Sequence, residues 1–216
     1  MLLLFVPFLA GTVFRFGLPF AEEYLAYYFS VSVILVPYYQ LADVLLSLLT
    51  PTMLSFVAAL VILEEVDAGI TRYLAVTPLG KKGYLISRLG IMTVVSIPLN
   101  LIVTTFFSLT AWSLSTSLAI SVFGALHGLV VALMIVALSA NKVEGMAIGK
   151  LTSLISLGLF VPYFLPGWIS YLFSGLPSFW IAQFVIDGRY FYLVLSLIIN
   201  SFYVYLLFQR YAGKLR

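Results

Sequence analysis

The chain has 216 residues, of which 63% are hydrophobic and only 9% are charged. Soluble domains carry about 25% charged residues, so a soluble globule could not cover this much apolar surface. The composition predicts an integral membrane protein, and a net charge of +3 is too small to indicate nucleic-acid binding. The absence of cysteine excludes disulfides, thiol catalysis and cysteine metal sites.

Six apolar runs are separated by polar residues, and a membrane span takes roughly 20 residues of helix. We place the spans at about 2–20, 41–63, 84–109, 118–139, 150–165 and 189–208. The first run lacks the basic start of a signal peptide, so we expect a span there and not a removed leader. The Pro/Gly-rich stretch 166–188 is apolar enough to dip back into the membrane. The expected fold is all-α: one polytopic domain over 1–216 with a partly re-entrant outer element between spans five and six.

The basic residues predict the orientation of these spans. Nine of the 11 Lys and Arg residues fall on one side of the six-span arrangement, and the other two are Arg15 and Arg189. Positive residues favour the cytoplasmic side, so both termini are expected in the cytoplasm of a cell-membrane protein. The nine are Arg72, Lys81, Lys82, Arg88, Lys142, Lys150, Arg210, Lys214 and Arg216.

The longest polar segment, Glu64–Lys82, joins the second and third spans. Ile70 and Leu74 share one helical face, and Pro78 ends any helix near residue 76 or 77. These features predict a short amphipathic helix at the cytoplasmic surface. Reversing the chain needs only a few residues, so this segment is either an interfacial connector or a docking helix for a partner.

Three acidic residues, Glu64, Glu65 and Asp67, are expected near the start of that helix, where its dipole favours negative charge. They serve there either in capping and solvation or in contacts with a partner. The basic residues Arg72, Lys81 and Lys82 are equally suited to lipid headgroups.

Residues 64–88, EEVDAGITRYLAVTPLGKKGYLISR, resemble the cytoplasmic segment of ABC-2 type transporter permeases. In that family an acidic residue, a glycine and a Thr-Pro-Leu form the coupling helix that seats on a separate ATPase subunit. Residues 141–145, NKVEG, resemble the family's second inner signature, and Val161-Pro162-Tyr163 resembles the end of the span that follows it. Within the family, the chain is similar to the permeases named as fluoroquinolone or multidrug exporters.

The resemblance implies a transport subunit with no catalytic residue, metal site or cofactor of its own. ATP and Mg²⁺ would be bound by the partner ATPase, two permeases would pair as a homodimer or with a related chain, and the substrate would be amphipathic. Family members usually carry a cytoplasmic N-terminal stretch, whereas this sequence begins within the first span. Either the true start lies further upstream or the element is missing, and in both cases the docking surface in this sequence is expected to be less complete. The implied coupling residues are Glu64, Glu65, Asp67, Gly69, Arg72, Thr77, Pro78, Leu79, Asn141, Lys142, Glu144 and Gly145.

Polar residues inside the spans supply the remaining candidates. His127, the only histidine, lies between Gly124 and Gly128, a small-xxx-small spacing typical of close helix packing. His127 either packs there or faces a translocation path. Asn100 either faces the same path or forms a hydrogen bond between helices. Asp43, near the outer end of span two, is expected to be solvated at the interface or to attract a cationic substrate.

Two other classes of function remain open from the residues alone. A membrane enzyme acting on lipid or isoprenoid substrates needs clustered acids or histidines at one membrane face, and the acidic inner triad is the one candidate. The other is a non-catalytic scaffold or an ion-coupled carrier. A carrier needs buried charges in several spans, but the middles of these spans carry almost none.

Overall fold

The structure, a computed structural model, describes residues 2–70, 80–165 and 167–214. Every regular element in these residues is helical, which confirms the all-α fold class. The helices are α1 (Leu2–Thr12), α2 (Leu18–Phe29), α3 (Tyr39–Asp67), α4 (Gly80–Phe107), α5 (Leu114–Leu138), α6 (Lys142–Ser156), α7 (Val161–Phe164), α8 (Pro177–Asp187) and α9 (Phe191–Lys214). A π-helical turn, Val13–Gly17, joins α1 to α2, and 3-10 turns cover Val36–Tyr38, Leu157–Leu159 and Gly167–Phe173.

Four helical stretches in the described residues are long and apolar enough to cross a membrane: Val36–Asp67, Gly83–Phe107, Leu114–Leu138 and Phe191–Gly213. They correspond to predicted spans two, three, four and six. The first predicted span falls on α1, the π-helical turn and the start of α2, and the fifth on the second half of α6 and on α7. The six-span count and the re-entrant placement of 166–188 therefore stay predictions.

Helix α5 lies at the centre of the bundle and packs against α3, α4, α6 and α9. One core cluster joins the end of α3 to the start of α4, the end of α5 and Tyr211 of α9. A second cluster joins the starts of α3 and α5 to α8 and to Leu193 of α9. Because the start of α4 meets the ends of α3 and α5, α4 runs antiparallel to both of these helices.

The structure moves several helix boundaries away from the predicted ones. Helix α3 continues to Asp67, so the acidic triad lies in its last turn and not at the start of a separate helix. Its own dipole disfavours negative charge there, which reverses the predicted electrostatic role. Helix α6 begins at Lys142, within a segment predicted to be a polar connector before a span at 150.

Asp43 is not solvated, contrary to the expectation from its position near a span end: its side chain is 1% exposed. Its carboxylate accepts hydrogen bonds from the backbone N–H groups of Leu109 (2.8 Å) and Thr110 (2.7 Å) and from the Thr110 hydroxyl. An ionisable group placed in an apolar helix must find such partners. Asp43 thus ties α3 to the connection between α4 and α5.

Candidate functional site

The end of α3 and the start of α6 meet through two contacts of Lys142. Its backbone N–H donates to Asp67 Oδ2 at 2.9 Å, and its Nζ lies 2.7 Å from Glu64 Oε2 in a salt bridge. We call Glu64, Asp67 and Lys142 the α3–α6 junction. The first N–H groups of a helix lack internal partners, so the Asp67 carboxylate both satisfies one of them and faces the positive end of the α6 dipole.

Glu65 connects the same end of α3 to α4. Its Oε1 lies 2.5 Å from Arg88 Nη2, and the Arg88 guanidinium also lies over the Tyr84 ring, 5.6 Å from the centroid. The Arg88 side chain is half exposed, so the ion pair contributes little stability. It does fix the position of the acidic turn relative to α4.

Asn141 and Glu144 form a capping box at the start of α6. Asn141 Oδ1 accepts from the Glu144 N–H at 2.8 Å, and Glu144 Oε2 accepts from the Ala140 N–H at 2.7 Å. This reciprocal arrangement satisfies two otherwise unpaired donors and sets the first residue of the helix. It is the physical reason why α6 begins well before the predicted span at 150.

Gly145 and Gly149 bring α6 into close contact with α3. A Cβ added at Gly145 would overlap Leu63 Cδ1, and one added at Gly149 would overlap the Phe56 ring. The helices therefore touch from the junction toward the middle of the bundle. No loop separates the junction from these contacts, because both lie on the continuous helices α3 and α6.

Of the remaining predicted coupling residues outside α3 and α6, the structure describes Gly69 alone. Gly69, directly after α3, has a φ of +71°, which favours glycine, and a Cβ there would meet no atom within 4 Å. Arg72, Thr77, Pro78 and Leu79 lie outside the described residues, as does most of the predicted amphipathic helix.

His127 is fully buried where α5 meets α6. Its Nε2 and Ser156 Oγ are 3.0 Å apart, in hydrogen-bond contact, whereas Nδ1 has no hydrogen-bond partner among the described residues. Gly124 and Gly128 on either side lie against α3, as the small-xxx-small spacing predicts. The described residues contain no group of three His, Asp or Glu side chains able to hold a metal ion.

Asn100 of α4 is also fully buried, close to Gly124 of α5. In the described part of the chain, neither atom of its amide has a hydrogen-bond partner. An unpaired buried amide is costly, so such a side chain marks a site where a polar group of a ligand or water would be stabilised. A place for His127 or Asn100 on a translocation path stays a prediction.

A cavity of about 420 Å³ opens between α1, α3 and α6, and Val131 of α5 also lines it. Its wall includes Met53 and Phe56 of α3, Gly149 of α6 and, at one side, Ser156, the partner of His127. The lining contains hydroxyl groups but no charged side chain. A compartment of this size and polarity suits an uncharged or amphipathic molecule.

Comparison with known proteins gives one family. A model of the Rv2686c-like family, described as fluoroquinolones export permease protein Rv2686c-like, matches residues 1–208. The chain belongs to this export permease family. No solved structure matches the chain.

Two relatives come from Mycobacterium tuberculosis. They are named fluoroquinolones export permease protein MT2760 (strain CDC 1551 / Oshkosh) and fluoroquinolones export permease protein Rv2686c (strain ATCC 25618 / H37Rv). Each is 29% identical to this chain over 188 residues, and the alignment covers 83% of this chain and 75% of the relative.

The family match confirms the resemblance to ABC-2 type export permeases that residues 64–88 and 141–145 carry. The structure brings the described parts of these two segments together, because Lys142 of the second contacts Glu64 and Asp67 of the first. The two signatures are therefore neighbours at one end of the bundle.

Asp43 and Ser156 make contacts that were not predicted from the sequence. Asp43 could have been recognised, because an acidic residue inside an apolar run is expected to have a buried partner. Ser156 carried no such signal, because its contact with His127 is tertiary and leaves no pattern in the sequence.

Proposed function

We propose that the chain is the membrane subunit of an ATP-driven exporter, with ATP hydrolysed by a separate subunit. In this proposal the chain makes six spans with both termini in the cytoplasm and pairs with a second permease. The ATPase docks on the α3–α6 junction and on the segment that follows Gly69. ATP binding then drives the spans toward an outward-facing state, and hydrolysis resets them.

The observation that carries the proposal is the contact between two chain segments at one end of the bundle. Lys142 lies 78 residues from Glu64 in sequence, yet their side chains form a salt bridge. The junction lies at the end of the bundle that also holds Arg88 and Arg210, the end expected to be cytoplasmic. A soluble partner at that end would therefore meet both segments as one surface.

The same two helices connect the junction to the cavity. Phe56 lies two turns before Glu64 on α3, and Gly149 lies two turns after Lys142 on α6, so each distance is roughly 10–12 Å along a helix. Both residues line the cavity. A rigid displacement of the junction would therefore change the shape of the cavity directly.

The cavity supports an amphipathic substrate. Its wall is mainly apolar, with Thr and Ser hydroxyl groups and no charged side chain. Two relatives are named fluoroquinolones export permeases, and we propose a planar, drug-like molecule of this kind for this chain. The Phe56 ring would stack on it, and Ser156 would hydrogen-bond to it.

The proposal is tested by co-expressing the chain with the ATP-binding cassette ATPases of its source organism and purifying it with the one that binds. The double variant Glu64→Gln, Asp67→Asn removes both acidic groups of the junction without a large change in volume. We expect it to co-purify with less ATPase and to lose substrate-stimulated ATP hydrolysis. Asp187→Asn, at an exposed acid at the opposite end of the bundle, is the matched control and should retain both. Equal ATPase recovery from the junction variant and the control would rule the junction out as the docking site.

A further inference from the structure

A groove runs along α5 between α4 and α9. Two adjoining cavities of about 130 and 380 Å³ share Leu129 of α5 and Val204 and Phe208 of α9 as walls. We call this continuous space the α4–α9 groove. It extends from Leu85 and Phe208 at one end to Asn200 at the other, which is roughly 12 Å along α9.

The end of the groove near Leu85 is entirely apolar, with walls of Leu, Ile, Val, Phe and Gly. Gly90 forms part of this wall, and a Cβ added there would meet no atom within 4 Å. The flanking helices are also the least buried of the four candidate spans: 28% of the apolar window of α4 and 17% of that of α9 lie inside the bundle. The groove therefore opens toward the hydrocarbon of the bilayer.

The charges of α4 and α9 indicate the headgroup of an occupant. These helices contain five basic residues and no Asp or Glu. All five lie toward the Leu85 and Phe208 end, and Arg210 is exposed there, whereas Arg88 is paired with Glu65. The five are Lys81, Lys82, Arg88, Arg210 and Lys214.

We propose that the α4–α9 groove holds one acyl chain of an anionic glycerophospholipid, with its phosphate at the basic end of α4 and α9. Anionic lipids are attracted to clustered basic residues at a membrane surface, and an acyl chain buries apolar surface in such a groove. The site is separate from the cavity between α1, α3 and α6, and its occupancy does not depend on the proposed export function.

The test uses native mass spectrometry of the full chain in a neutral detergent. Phosphatidylglycerol and phosphatidylcholine with identical acyl chains are added at equal concentrations. The wild-type chain should retain phosphatidylglycerol in preference to phosphatidylcholine. Gly90→Phe, which fills the groove, should lose this retention, while Ile91→Phe, on the adjacent lipid-facing position that is already 60% exposed, should keep it.

Three outcomes would overturn the proposal. Equal retention of both lipids by the wild type would remove the headgroup assignment, and undiminished phosphatidylglycerol on Gly90→Phe would remove the groove assignment. Displacement of the lipid by one equivalent of a fluoroquinolone would make the groove a substrate site. If Gly90→Phe does not elute as a folded species, Val204→Phe fills the groove from the other wall and decides the question. No ATPase is present, so a negative result here leaves the proposed transport function standing.

Discussion

Replacing Gly128 by alanine is expected to destabilise the bundle, because this residue lies against the backbone of α3. An added Cβ would lie 2.7 Å from Ser55 Oγ, 2.8 Å from the Pro51 carbonyl oxygen and 3.0 Å from the Pro51 carbonyl carbon. The hydroxyl can rotate, but the backbone at Pro51 cannot give way without moving α3. Overpacking of this kind costs about 1–3 kcal/mol.

Gly90→Ala is the matched variant, because the same methyl group there meets nothing within 4 Å. Both substitutions gain about 1 kcal/mol of helix propensity, so the difference between the two variants isolates the packing cost. We expect Gly128→Ala to be about 2 kcal/mol less stable than Gly90→Ala. In a soluble protein of this size that corresponds to about 4–8 °C in Tm.

The assay is thermal unfolding of both variants in the same lipid-free detergent. Unfolding is monitored by tryptophan fluorescence and by the fraction of protein that remains monodisperse. If the thermal midpoint of Gly128→Ala equals or exceeds that of Gly90→Ala, the close approach of α5 to α3 is refuted. The packing role of the residues beside His127 would then have to be abandoned.

Three further substitutions test other parts of the structure. Asp43→Ala removes the acceptor for two backbone N–H groups and the Thr110 hydroxyl, so the free energy of unfolding should fall by about 3 kcal/mol, and an unchanged thermal midpoint would contradict this. Asn141→Ala removes the α6 cap and should cost about 1 kcal/mol, whereas Asn141→Ser should restore most of it in the same melt. Phe56→Ala should weaken fluoroquinolone binding about fivefold in a fluorescence titration. The control is Phe106→Ala, at a residue of α4 that is 71% exposed, and it should weaken binding less. Equal effects of the two substitutions would exclude Phe56 from the binding site.

Much of the fold could be predicted from the sequence, because apolar runs between polar residues mark helices whatever their neighbours are. The ends of those helices could not be predicted as well. Helix α6 begins at Lys142 because Asn141 and Glu144 cap it, and the N-x-x-E spacing was available in the sequence. Helix α3 extends to Asp67 because contacts from α4 and α6 stabilise its acidic last turn, and those contacts are tertiary.

In the candidate site, too, some features could be predicted from the sequence and others depend on tertiary contacts. The two inner segments could be found by their resemblance to a family, but nothing in either segment predicts that Lys142 reaches both Glu64 and Asp67. The cavity could not be predicted either, because its walls come from four helices that are distant in sequence. Periodicity shows which face of a helix is apolar, not which helices leave a space between them.

Cross-linking gives the most direct test of the proposed coupling surface, because the chain has no natural cysteine. A single Ala68→Cys substitution places a thiol on an exposed, right-handed helical position at the end of α3, and Ser115→Cys places one on an exposed position at the opposite end of the bundle. In a complex with the proposed ATPase subunit, Ala68→Cys should cross-link to that subunit with a yield that changes on addition of ATP, and Ser115→Cys should not cross-link. A complex that hydrolyses ATP and exports substrate without any cross-link at residue 68 would contradict the account.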